Sequence, residues 1–271
     1  MGKVKIIFFD IDGTLIDFSA INISEKMLET LVRLKKKGVV LCLATGRSPM
    51  ALPKFPGIEF DAFLTYNGSY CFNSEKIIFS NPIPTEDILK LVKNAKKIGR
   101  PVSIATKDCL AANGADQDLI DYFAIAGLKV EIAKNFDKLV QTEVYKIMMG
   151  GRQAEYPHIM EGVKNAKIAA WWDRAIDIIP ADGGKGNAIE KVLEYYHFER
   201  AESVAFGDGN NDIEMLQSVG TGIAMGNGSE QLKAIAKDVC GCAAEDGIYH
   251  YCLEHAHFLK TPSLHKKSGA L

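Results

Sequence analysis

No run of 18 consecutive apolar residues occurs anywhere in the chain, so the sequence offers no membrane-spanning helix. Neither sign of charge prevails. The 32 Lys and Arg against 34 Asp and Glu leave a formal net charge of -2, too little field to gather nucleic acid or an anionic membrane surface. Also missing are the biased compositions of disordered, collagen-like or coiled-coil chains, since hydrophobic residues make up 47% and charged residues 24%. The amino-terminal stretch MGKVKIIFFDIDGT meets Asp10 too soon after Lys3 for a secretory apolar segment. The expectation is a cytoplasmic protein whose partner is a small molecule, with Asn67-Gly68-Ser69 and Asn227-Gly228-Ser229 carrying no glycan.

Paired CxxC spacing is absent from the six cysteines, Cys42, Cys71, Cys109, Cys240, Cys242 and Cys252. Cys240-Gly241-Cys242 with His250, Cys252, His255 and His257 contains zinc-binding residue types, but no zinc-site spacing. Reduced structural thiols are the simpler reading, and the sequence assigns no role to Cys240 or Cys242.

What is present is alternation. Short apolar, β-branched runs are interleaved with helical patterns, the mark of an α/β fold with a Rossmann-like parallel-sheet core. Strands are expected at Lys3–Phe9, Val39–Ala44, Asp61–Tyr66, Ser203–Phe206 and Gly222–Met225. Helices are expected at Ser24–Lys37, Lys185–Tyr196, Asn211–Ser218 and from about Ser229. The middle of the chain reads as α+β. Thr85 is expected to cap a helix reaching Gly99, followed by a hairpin at Val102–Ala112, a helix at 116–126, a strand at Val144–Met149, a helix near Gln153–Asn165 and two strands flanking Trp172-Asp173-Arg174. Breakers at Asn81–Pro84 and Asp182–Gly184 divide 271 residues into a core, 1–81 and 183–271, and an inserted domain, 82–182.

The chemistry gathers where strands end. Phe8-Phe9-Asp10-Ile11-Asp12-Gly13-Thr14-Leu15 is an apolar strand running straight into two carboxylates, which at i and i+2 can converge on one crevice. Gly207-Asp208-Gly209-Asn210-Asn211-Asp212 follows the strand at Ser203–Phe206 in the same manner, and open α/β sheets bind ligands at such ends. An EF-hand is excluded, because Ile213 and Val219 stand where its glycine and glutamate belong, and starting from Asp10 the same places hold Leu15 and Ile21. Any one of these acids alone is compatible with a turn or a helix cap. Ala44-Thr45-Gly46-Arg47 offers a hydroxyl and amide N–H groups to a phosphate after the second strand. Lys185 sits at a helix start, in Gly183-Gly184-Lys185-Gly186-Asn187, which is no P-loop because Ile179 replaces the first glycine and no Ser or Thr follows the lysine.

With DIDGTL at 10–15, ATGR at 44–47, GGKGNA at 183–188 and GDGNND at 207–212, the whole chain resembles the haloacid dehalogenase superfamily, and within it the Cof-like sugar phosphatases. That resemblance implies a nucleophile at Asp10 and a general acid/base at Asp12. It also implies Mg²⁺ held by Asp10, the Asp12 carbonyl and Asp208, with Asp212 behind them. Phosphate or substrate contacts would come from Ile11, Thr45, Gly46, Arg47, Lys185 and Asn211, and 82–182 would be a Cof-type α/β cap. Hydrolysis of phosphate monoesters of small metabolites, of sugar-phosphate type, would proceed through an aspartyl-phosphate. A phosphomutase of the same superfamily and a non-catalytic phospho-ligand sensor are the competing readings. The sequence leaves the substrate and the oligomeric state open, as it does the role of Trp171, Trp172, Asp173 and Arg174, which either face the substrate or pack the cap.

Overall fold

The computed structural model describes residues 4–125, 127–170, 172–255 and 258. Lys3, Trp171 and His257, which figured in the expectations above, lie outside the described residues. The chain opens with β1 (Ile6–Phe9), α1 (Glu25–Lys36), β2 (Val40–Ala44), β3 (Ala62–Thr65), β4 (Tyr70–Phe72) and β5 (Ile77–Ser80). There follow α2 (Thr85–Lys97), β6 (Val102–Ala105), β7 (Leu110–Ala112), α3 (Gln117–Ile125), α4 (Phe136–Leu139), β8 (Lys146–Gly150), α5 (Tyr156–Ile159), β9 (Ala166–Ala169) and β10 (Ala175–Pro180). The last third supplies α6 (Lys185–Tyr196), β11 (Ser203–Gly207), α7 (Ile213–Gln217), β12 (Thr221–Ala224), α8 (Glu230–Ile235), β13 (Asp238–Val239) and α9 (Gly247–Glu254). No helix among the described residues is long and apolar enough to cross a membrane.

The chain divides into two compact units, the first comprising Met1–Leu43, Phe55–Asp61 and His197–Leu271. Here the strands run β13-β12-β11-β1-β2, all parallel, with Ile6 in register with both Ser203 and Val40. All four residues of β1 are buried, as a strand covered on both faces requires. On α1 the apolar spacing places Met27, Leu31 and Leu34 on one buried stripe. Ser24 caps that helix by accepting the Met27 N–H at 3.0 Å, and Gly38 ends it at φ +76°.

The second unit comprises Ala44–Lys54 and Ala62–Tyr196. It contains the antiparallel meander β3-β4-β5 and a five-stranded antiparallel sheet ordered β7-β6-β8-β10-β9. Alternation along β8 and β10 gives that sheet two faces. Ile147, Met149, Ile176 and Ile178 join Ile88 and Leu91 of α2 in one cluster, while Met148 and Ala175 join Tyr66, Tyr122, Phe123 and Tyr145 in another.

Three local expectations are corrected by tertiary contacts. The helix near Gln153–Asn165 is one turn at Tyr156–Ile159, because Gly162 reverses the chain at φ +72° and the buried Asp87 carboxylate accepts the N–H groups of Lys164 and Asn165 at 3.2 and 2.8 Å. Thr85 is the first residue of α2, not its cap; the cap position is Pro84, with no side-chain hydrogen bond. The expected helix at Asn211–Ser218 opens as a 3-10 turn, and α-geometry begins at Ile213. Cys240 and Cys252 are buried, and burial pushes both thiols up to about 12, so they are protonated at neutral pH.

Candidate active site

Hydrogen bonding carries the β1 ladder one residue past the strand, with the Asp10 N–H donating to Phe206 O at 3.0 Å. The backbone then folds back tightly. Ile16 N–H reaches Ile11 O at 2.9 Å and Gly13 N–H reaches Ile16 O at 2.7 Å, which requires φ +82° at residue 13. A Cβ on Gly13 would stand 2.2 Å from Asp208 Oδ2, so glycine is needed there both for its dihedral and for its lack of a side chain. Thr14 Oγ1 donates to Asp208 Oδ1 at 3.2 Å, joining the loop after β1 to the loop after β11.

Asp212 fixes the loop after β11 from inside. Fully buried, it accepts the N–H groups of Asp208 and Gly209 on Oδ2, both at 3.0 Å, and a Cβ on Gly207 would stand 2.7 Å from its own Cβ. Carboxylate oxygens of Asp10, Asp208 and Asp212 all lie within 4.8 Å of one another, the one such group of potential metal ligands among the described residues. Three hard oxygen donors fit a small divalent cation such as Mg²⁺ and suit soft metals poorly. Asp12 is half-buried on the same tight loop, bridged to Ile16, while Ile11 is fully buried and Asn211 is exposed on the 3-10 turn.

Asn227 is the residue that sequence reasoning missed. Its side chain donates to Gly13 O at 2.8 Å and accepts Ala243 N–H at 2.9 Å, while the neighbouring Ser229 N–H donates to Asp208 O at 2.9 Å. The loop after β12 therefore holds both acidic loops from behind. The available signal was an Asn-Gly-Ser turn directly after a buried strand, the same placement that singled out the acids.

Thr45, Gly46, Arg47 and Lys185 belong to the second unit. There Thr45 is buried, its Oγ1 accepting the Arg47 N–H at 3.1 Å and its carbonyl accepting the Asn67 N–H at 2.9 Å. Arg47 donates from Nη1 to Ala51 O at 3.2 Å, shaping its own loop. Tyr66 and Asn67 adopt left-handed dihedrals, φ +52° and +54°, uncommon for residues with a Cβ. The same turn packs on the start of α6, where a Cβ on Gly68 would lie 2.5 Å from Ala188 Cβ and 2.7 Å from Gly184 O. One strained turn thus fastens both the Thr45 loop and the fully buried Lys185 that opens α6.

Residues 7–252 match the family model described as haloacid dehalogenase-like hydrolase. YkrA of Bacillus subtilis (strain 168) is 33% identical over 258 residues, covering 94% of this chain and 99% of the relative. From the same bacterium, 5-amino-6-(5-phospho-D-ribitylamino)uracil phosphatase YitU is 27% identical over 267 residues, covering 93% and 98%. Among solved structures, the HAD subclass IIB sugar phosphatase BT4131 matches with a TM-score of 0.81 at 26% identity, covering 94% of this chain and all of the other. Acidic loops at the ends of adjacent parallel strands, found here within one α/β chain matched from end to end of its core, place it by descent: the chain belongs to the haloacid dehalogenase-like hydrolases.

Proposed function

We propose that the chain is a Mg²⁺-dependent phosphatase that hydrolyses phosphate monoesters of small metabolites, sugar or polyol phosphates foremost, through an aspartyl-phosphate on Asp10. The observation that carries this reading is the convergence of Asp10, Asp208 and Asp212 within 4.8 Å at the ends of two adjacent parallel strands. Two relatives support the substrate class, since YitU is named for a phosphoribityl compound and BT4131 as a sugar phosphatase.

In the proposed reaction an Asp10 carboxylate oxygen attacks phosphorus in line with the ester oxygen, whose bond to phosphorus breaks. Asp12 gives its proton to the departing alkoxide, then takes one from the water that attacks the aspartyl-phosphate, which releases phosphate and frees Asp10. Asp10, Asp208 and the Asp12 carbonyl would hold Mg²⁺, with Asp212 ordering the Asp208 loop; when bound, the cation supplies charge neutralisation for the phosphoryl oxygens. Thr45, Gly46, Arg47, Lys185, Asn211 and Ile11 are assigned to phosphate and substrate contacts, and 82–182 to a cap that selects the leaving group.

Phosphate release from a panel of sugar phosphates, polyol phosphates and p-nitrophenyl phosphate, with Mg²⁺ and with EDTA, tests the proposal. Turnover with Mg²⁺ that disappears in the Asp10→Asn variant is expected. Turnover that survives in that variant overturns the assignment of the nucleophile.

A further inference from the structure

The turn after the first acidic loop presents an aromatic ring to solvent. Phe18 is 75% exposed and Ile21 90% exposed, against the rule that apolar side chains of this size fill the core. Isolated exposed apolar residues are ordinary, so the argument rests on where this ring stands and how it is held. The vacant Cβ position of Gly13 lies 2.7 Å from Phe18 Cε2 and 2.2 Å from Asp208 Oδ2. The ring edge and a carboxylate of the acidic cluster are therefore neighbours across a glycine that admits both.

The turn that carries the ring is closed by hydrogen bonds. Asp17 accepts the Ser19 N–H at 2.9 Å and the Ser19 hydroxyl at 2.5 Å on Oδ1, and its carbonyl accepts the Ala20 N–H at 2.9 Å. This closed turn orders the backbone on both sides of Phe18, so less backbone freedom remains to be lost when a ligand packs on its ring. Water is a poor partner for that surface, and a flat ring on a ligand is a good one.

We propose that Phe18 determines specificity by packing against the leaving group, favouring phosphate esters whose alcohol carries a ring over short ringless ones. This rests on the phosphatase reading for its meaning, but not for its test. Binding of two inert analogues, benzylphosphonate and methylphosphonate, is measured by calorimetry in the presence of Mg²⁺ for the wild type, Phe18→Ala and Phe18→Trp. The wild type should favour the benzyl compound by at least about tenfold, a ratio in the range that one good aromatic contact supplies. Phe18→Ala should erase that preference while leaving methylphosphonate affinity and melting temperature unchanged, and Phe18→Trp should restore it. A wild type without preference, or an Ala variant that keeps it or weakens both analogues equally, overturns the proposal. If the preference behaves as expected while no phosphate ester is hydrolysed, the phosphatase reading fails and the role of Phe18 stands.

Discussion

Two gatherings of carboxylates, one in each unit, show how differently acids are kept in this molecule. In the second unit Arg100 donates to Asp116 at 3.0 Å, to Asp118 at 2.7 Å and to both oxygens of Glu155 at 3.1 and 3.0 Å, with Arg152 adding a 2.7 Å bond to Asp118. In the first unit Asp10, Asp208 and Asp212 crowd within 4.8 Å, and the loops carrying them are fastened by amide N–H groups, Thr14 and Asn227. Arginine partners make an acidic group structural by satisfying it permanently. The loops of the other gathering are held by amide and hydroxyl donors, and its three hard oxygen groups stand close enough together to suit a cation. The lesson is that the same residue types serve as an arginine-fastened network in one unit and as a convergent set of potential metal ligands in the other.

The sharpest way to break this comparison is Asp10→Asn. Turnover should fall by about a thousandfold or more, since the nucleophile is lost, while melting temperature holds or rises as carboxylate repulsion eases. A stopped assay combined with a melting scan reads both, and near-normal turnover would erase the distinction between the two gatherings.

Next in size is Gly13→Ala, whose Cβ would strike Asp208 Oδ2 at 2.2 Å with φ at +82°. We expect about a hundredfold loss of kcat/KM, because a misplacement near 1 Å is enough for that. Gly38→Ala is the control. It has φ +76° but nothing within 4 Å of the new Cβ, so it should cost about 1 kcal/mol of stability and no activity.

Mg²⁺ should stabilise the wild type by about 2.7 kcal/mol at 100 times its Kd and leave Asp208→Asn nearly unchanged. Thermal melts in EDTA and in Mg²⁺ decide this, and an equal shift in both proteins counts against the cluster as the site. Arg100→Met should lower stability by about 2 kcal/mol while leaving the Mg²⁺ shift intact, because Asp116 and Glu155 of the other gathering lose the guanidinium that pairs them, while Asp118 keeps Arg152. Loss of the Mg²⁺ shift in that variant would show the two gatherings to be coupled.

The smallest expected effect is on acid stability. Hydrogen bonds from Arg152 and then Arg100 hold Asp118 below its ordinary 3.8, and a bond from Arg100 holds Glu155 below its ordinary 4.5. Both folded-state values are depressed, so their stabilisation is present above the ordinary values and is lost as pH falls through the folded ones. Melting temperature should therefore drop below about pH 4.5 in the wild type and less steeply in Arg100→Met. Parallel curves for the two proteins would remove this network from the account of acid stability.

Much of the fold and part of the site were legible because their signals are local. An apolar run ending in Asp10 and Asp12 marks β1, Ser24 and Gly38 bracket α1, and Lys185–Tyr196 forms a helix with the expected ends. Period and capping act over a few residues, and a single sequence displays them. The corrections fall where distant groups intervene. Asp87 holds residues 164–165, 77 and 78 positions further along the chain, in place of a longer helix.

By itself, then, the sequence determined the α/β class, the strand ends at which the acids stand, and the glycines that let the chain turn there. Only the tertiary structure decided which oxygens converge, that Thr14 reaches Asp208 across 194 positions, and that Asn227 fastens the loop at Gly13. The physical reason is register. Side-chain identity and spacing fix what a segment becomes, but a site only a few ångströms wide is set by the pairing of parallel strands far apart in the chain, and local propensity carries no information about that pairing.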